Sequence, residues 1–354
     1  MVSWYHRRRF GMKGIIMKRS AIVLSMCLLA AAVRAAEPRV EFVKGDGKID
    51  VVIGGRPFTS YLYGGNLTKP VLVPLRTTSG IEVSRRYPLV EMPGGSMDHT
   101  HHEGIFFAVD LVNGVKFWNN TDPPPQIRHA KLTEIAGGAG EGELSAVAHW
   151  VDDKGKILLE EKRVMVFSAG RHEGEYAIDA SIDLKAVGED VLFEDIEEGM
   201  FAIRVSDYLR ECDSSKTLRP GEPVPDESAE GTGRYFSSNG DETAKNVWGK
   251  RARWVALQGV RKGKVVGVAI LNHPASINYP TYWHVRDYGL FSANPLGQGD
   301  FQRQTPQKYR KNKVMSLNLK LKRGETAHFR FVVVVYEGIR TKDQIEKRFR
   351  EFTE

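Results

Sequence analysis

Cysteine is almost absent: the 354-residue chain has two, Cys27 and Cys212. If the first 35 residues are removed on export, Cys212 is the only thiol left and no intrachain disulfide can form. Stability must then come from buried apolar surface. About 320 residues can bury enough in one large β domain or two smaller ones.

Charge of one sign is lacking too, once the start is set aside. The whole chain has 51 Lys+Arg against 44 Asp+Glu. Residues 1–35 hold seven basic residues and no acidic one, so the remainder is formally neutral. A nucleic-acid partner needs a basic patch or stripe, and neutrality argues against one.

Long apolar runs are missing with one exception, Ala21 to Val33. At 13 residues it is short of the roughly 20 that a membrane span needs. Lys18 and Arg19 precede it and Val33-Arg34-Ala35 follows, the order of a secretory signal: charged region, apolar region, small-residue cleavage site. The expectation is translation from Met17, a signal peptide over residues 1–35 cleaved near Ala35, and a periplasmic or secreted product without stable membrane insertion. Gly-x-Ser-x-Gly, the Walker A loop, the Rossmann fingerprint and His-Glu-x-x-His are all absent.

What is present reads as strands and glycine turns. Lys48–Ile53, Gly54-Gly55 and Pro57–Tyr63 form a hairpin signal. Leu144–Val151 with Ile157–Phe167, and Arg253–Val260 with Val265–Leu271, repeat it. Glu175–Leu184 alternates, with Tyr176, Ile178, Ala180, Ile182 and Leu184 on one face, as a half-buried strand does. Val314–Leu321 and Ala327–Tyr336 complete the pattern. It predicts an all-β fold: a large antiparallel β-sandwich, or a supersandwich of galactose-mutarotase type, forming one domain over residues 36–354. Thr341-Lys342-Asp343-Gln344 has capping-box spacing, and Ile345, Phe349 and Phe352 form a stripe, so a C-terminal helix is expected on the sandwich edge. Residues 212–246, crowded with Pro, Gly, Ser and acidic residues, read as a long surface loop.

Three segments concentrate chemistry. In Asp98-His99-Thr100-His101-His102-Glu103-Gly104, an extended backbone would put His99 and His101 on one face and His102 on the other. Two histidines so spaced can chelate a metal, so a divalent metal on His99 and His101 is one reading; a polar cleft is the other. Tyr279-Pro280-Thr281-Tyr282-Trp283-His284-Val285-Arg286-Asp287-Tyr288 mixes aromatic and ionisable side chains, which suits a sugar. Rings cover the apolar face of a pyranose, and Arg, Asp and His bond its hydroxyls. Glu194-Asp195-Ile196-Glu197-Glu198 supplies carboxylates, the groups that glycosidic hydrolysis uses in pairs.

These segments resemble a bacterial family labelled "methane oxygenase PmoA". The resemblance also covers Val112-Asn113-Gly114-Val115-Lys116-Phe117-Trp118, Glu198-Gly199-Met200-Phe201-Ala202-Ile203-Arg204, Gly233-Arg234-Tyr235-Phe236-Ser237-Ser238-Asn239-Gly240, Val247-Trp248-Gly249-Lys250-Arg251-Ala252-Arg253-Trp254-Val255 and Asn272-His273-Pro274. Glu103 departs from it, since a basic residue is expected there. A methane-oxidising membrane subunit needs several spanning helices, which this sequence does not have after residue 35. What the resemblance implies is an exported β-sandwich associated with sugar degradation.

The leading reading is an exported carbohydrate-active enzyme that cleaves or rearranges a glycoside by acid–base chemistry. His102, His273, His284 and Glu198 are the expected proton-transfer residues. His101, Arg204, Trp283, Arg286, Asp287 and Tyr288 are expected to hold the saccharide. A non-catalytic glycan-binding sandwich is the alternative from another class. A metal-dependent oxidoreductase at His99 and His101 is the third.

Overall fold

The computed structural model describes residues 37–228, 230–305 and 313–354. The expected signal peptide, with Cys27, lies outside them. Residues Glu37–Glu354 form one compact unit.

The chain is built from two large antiparallel sheets. The first has nine strands, in the order Tyr282–Val285, Leu290–Asn294, Gly199–Arg204, Ile105–Val109, Val71–Leu72, Arg56–Leu62, Lys48–Ile53, Arg39–Gly45 and Gly138–Ala139. The second has eight: Arg234–Ser237, Trp254–Arg261, Lys264–Asn272, Thr326–Glu337, Glu175–Ala186, Ile157–Ser168, Glu141–Val151 and Gln126–Ala136. The sheets pack face to face through aromatic pairs. Phe201 stacks on Phe331 at 4.8 Å, Phe107 meets Phe329 at 6.0 Å, and Phe58 meets Phe167 at 6.4 Å. Each ring so buried contributes about 1.5–3 kcal/mol. The all-β sandwich with a C-terminal helix is therefore the observed fold.

Strand alternation then decides where function can sit. Phe107, Phe201, Phe291 and Trp283 point into the core. Their neighbours Phe106, Ala202, Ser292 and His284 consequently point to the outer face of the nine-stranded sheet.

The eight-stranded sheet is apolar towards the core and also carries an apolar patch on its outer face. Val255, Ile270 and Val333 face the sandwich core. Trp254, Leu271, Val332 and Val334 face outward and are covered by Ile345 and Phe349 of the helix Lys342–Thr353. The expected capping box is present: Thr341 accepts from the Gln344 N–H, and the Gln344 side chain accepts from the Thr341 N–H. The helix lies on this outer face rather than on the sandwich edge, because the face has apolar surface to bury and its Trp254 indole donates to Glu346 at 2.7 Å.

Two expected elements change. The loop expected over residues 212–246 contains the edge strand Arg234–Ser237 and the short helix Ala244–Val247. Tyr235 anchors that strand by an edge contact with Phe291 at 5.4 Å. The strand expected over residues 314–321 shrinks to Lys320–Leu321. The backbone before it is satisfied by side chains instead: Met315 N–H donates to Gln302 and Leu317 N–H to Asp195.

Candidate functional site

Four strands of the nine-stranded sheet fix a polar outer face. His284 pairs with Ser292, Ser292 with Ala202, and Ala202 with Phe106, so these side chains lie in one row. One step along, Arg204 pairs with Leu290, whose carbonyl accepts from the Arg286 N–H. Two arginines thus flank the same strand, roughly 10 Å apart at about 4.8 Å per strand.

The histidine segment closes one end of this face, but it is not extended. His99 has a left-handed φ of 45°, and its carbonyl accepts from the His102 N–H at 3.0 Å. This turn leaves the His99 and His101 rings edge-on to each other, with centroids 5.8 Å apart. His99 stacks instead on Tyr288 at 4.6 Å and on His102 at 5.1 Å. Among the described residues, no group of three His, Cys, Asp or Glu side chains is placed to hold a metal ion.

Asp98 ties the turn to the sheet. It accepts from Arg204 at 2.6 Å and from Arg85 at 2.8 Å, and pairs with His99 at 2.8 Å. Burial favours its neutral form, but Arg204, His99 and Arg85 outweigh that and hold the carboxyl below its ordinary value. Arg204 is fully buried, donates to His102 Nδ1 at 3.4 Å and lies 4.8 Å from the Tyr288 ring. Burial, aided by Arg85, pushes it down to about 10.

A second set of charges lies along the same face. Lys69 is fully buried; its amine donates to Thr68 Oγ1 at 3.2 Å and lies 5.4 Å from the Phe106 ring. Burial lowers it to about 8, although Glu103 and Asp110 act in the opposite direction. Glu103 is 8% exposed, its Oε2 has no partner among the described residues, and burial raises its carboxyl. Glu198 lies opposite Asp110, whose N–H donates to the Glu198 carbonyl. Burial and then Glu197 raise the Glu198 carboxyl to about 7. His101 is held down at about 4 by burial and then by Lys69, and His102 is held neutral by burial and His101.

His284 closes the other end. Its Nδ1 bonds the Glu197 carbonyl at 3.0 Å, and its Nε2 accepts from Arg286 at 3.1 Å. Burial and Arg286 lower it to about 3, so it is neutral. Arg286 also donates to the Glu197 carboxylate at 3.2 Å.

The expected residues therefore divide. His101, His102, Arg204 and Tyr288 meet at one end of the face, while His284 and Arg286 bond Glu197, the chain neighbour of Glu198. His102 and Glu198 flank opposite ends of the strand pair running from Ile105↔Ile203 to Val109↔Gly199. Four strand steps are about 13 Å, too far for one direct proton transfer. Three expected residues stand apart. His273 bonds Arg330 at 3.3 Å on the outer face of the other sheet. Trp283 has no exposed surface and donates to the Ala252 carbonyl at 3.0 Å, so it is core. Asp287 is exposed and bonds the Tyr288 N–H within its own turn.

Sequence reasoning missed Lys69, Arg85 and Asp110, and named Glu197 only within its acidic segment. Lys69 left one signal, a cation set against the apolar Val71-Leu72-Val73.

No curated protein matches this chain. Among solved structures, a galactose mutarotase related enzyme from Lactobacillus acidophilus is similar at 10% identity and a TM-score of 0.32, covering 84% of this chain and 97% of that one. Residues 48–350 match a family of unknown function, DUF6807, and the chain belongs to that family.

Proposed function

We propose that this protein is an exported carbohydrate-active enzyme that holds a saccharide on the outer face of the nine-stranded sheet and cleaves or rearranges a glycoside by proton transfer. The observation that carries the reading is the buried Lys69 amine, which feels Glu103 and Asp110 but forms an ion pair with neither, on the face that also bears Glu198 and His101. A buried ammonium without a close carboxylate costs stability. Such groups, gathered with other displaced carboxyls and imidazoles, are a mark of a working site. The family labelled "methane oxygenase PmoA", which the sequence resembles, fits an exported sugar-degrading role of this kind.

The chemistry follows from protonation states. Glu198, with a pKa of about 7, keeps a proton near neutrality and can give it to a leaving oxygen. His101 is neutral there and, at the far end of the face, would accept a proton from another part of the saccharide and not from Glu198. The Lys69 ammonium stabilises negative charge developing on a substrate oxygen. Arg204 and Arg286, already fixed by Asp98 and Glu197, orient hydroxyls from either side.

The test is a panel of aryl glycosides and oligosaccharides given to the intact protein and to Glu198→Gln. Turnover abolished in the variant with binding retained supports the enzyme. A glycan bound by the intact protein but never turned over makes it a binding module instead.

A further inference from the structure

A second cavity lies away from the polar face. It has a volume of about 920 Å³ and lies between the loop Met92–Ser96, the segment Ser206–Tyr208 and the hairpin turn at Arg261–Lys264. We propose that it binds an acidic saccharide, so that the substrate is a uronate-bearing oligosaccharide extending beyond the reacting residue. The substrate class rests on the proposed function; the binding site does not.

Charge comes first. Five cations line the cavity, Arg85, Arg86, Arg261, Lys262 and Lys264, against the three carboxylates Glu82, Asp207 and Glu227. Each carboxylate is already engaged. Glu82 binds Arg86 and Arg76, Asp207 accepts from the N–H and hydroxyl of Ser96, and Glu227 binds Arg261 and the Lys262 N–H. No carboxylate of the described residues lies within 4.0 Å of the Lys262 ammonium, and Lys264 reaches Glu337 only at 3.7 Å. The cavity thus offers donors and positive charge while its acceptors are occupied, the setting for an anion.

Size and position narrow the ligand. A volume near the top of the usual 300–1,000 Å³ range for ligand sites suits more than one sugar unit. Tyr87 and Tyr208 supply rings, and Met92 an exposed apolar surface. One side chain links the cavity to the polar face. Arg85 lines the cavity, while its guanidinium holds Asp98 and the carbonyls of His99 and His102. A chain of sugars passing over Asp98 would therefore meet both.

The experiment is calorimetric titration of the intact protein with trigalacturonate and with neutral maltotriose. Lys262 and Lys264 lie at an exposed hairpin turn, so Lys262→Glu/Lys264→Glu should fold normally, checked by its melting curve. Trigalacturonate should bind with a Kd of about 1 mM or tighter, lose about ten-fold or more in the double variant, and weaken as salt is raised. Maltotriose should bind more weakly and ignore the substitutions. Equal binding of the two trisaccharides, an unchanged affinity in the variant, or no binding up to about 10 mM overturns the proposal. Glu198→Gln separates the two readings: it should leave trigalacturonate affinity intact, whatever it does to turnover.

Discussion

Arg204 and Asp98 meet at 2.6 Å where the sheet ends and the histidine turn begins, and the same Asp98 oxygen accepts from Arg85 at 2.8 Å. One carboxylate therefore bridges two guanidiniums, of which Arg204 has no exposed surface and Arg85 is 4% exposed. Asp98→Asn would leave both cations facing each other. Asp98 itself is 40% exposed, so solvent screening reduces the cost. The expected destabilisation is about 1–3 kcal/mol in urea denaturation. A change below about 0.5 kcal/mol would show that the pairing is idle.

Lys69→Met should separate stability from function. A buried ammonium is replaced by an apolar side chain of similar length, and such exchanges often stabilise by about 1–3 kcal/mol. The pH dependence has a defined sign. Folding lowers the Lys69 pKa from 10.5 to about 8, so the unfolded chain holds more protons in that window and native stability rises with pH across it. The Met variant should lack that rise. A less stable variant at pH 7 with an unchanged slope would count against the buried-amine assignment.

Glu198→Gln has the opposite pH signature. Folding raises this carboxyl from 4.5 to about 7. Above pH 4.5 the unfolded chain releases its proton first, so native stability falls until the folded group also ionises near 7. The Gln variant should gain melting temperature over the parent at pH 8 and match it at pH 4. Any glycosidase activity should fall in the parent as pH rises through about 7.

His273→Ala should leave turnover and saccharide affinity at parental values, because this ring bonds Arg330 on the far sheet. Steady-state kinetics check it; a ten-fold loss would mean that the two outer faces communicate.

Trp283→Phe should cost stability and not affinity. The indole is fully buried and loses its bond to the Ala252 carbonyl, for an expected loss of about 1–2 kcal/mol. Loss of ligand affinity at unchanged melting temperature would return Trp283 to the binding surface.

The hairpins were legible because period-two alternation and glycine turns are local signals. The Lys48–Ile53 strand and the inward series Tyr176 to Leu184 stand where their patterns put them. The capping box at Thr341 is equally local. What failed was pairing at a distance. His273 and His284 look equivalent in sequence, yet one follows a strand of the eight-stranded sheet and the other lies in the nine-stranded sheet. Trp283 and His284 are adjacent, and alternation alone sends one inward and the other outward. Lys69 escaped notice because a single cation ahead of a short apolar run reads as a loop residue until its strand is seen to be internal.

The C-terminal helix seals the outward apolar surface of the eight-stranded sheet, while the polar face belongs to the other sheet. The molecule thus has a back and a front. Lys347, on the helix and 69% exposed, offers an attachment point on the back. A molecule fixed to a bead or a sensor surface through that side chain would present Tyr288, His101 and Glu198 to the solution, free for a polymeric ligand too large to diffuse around it.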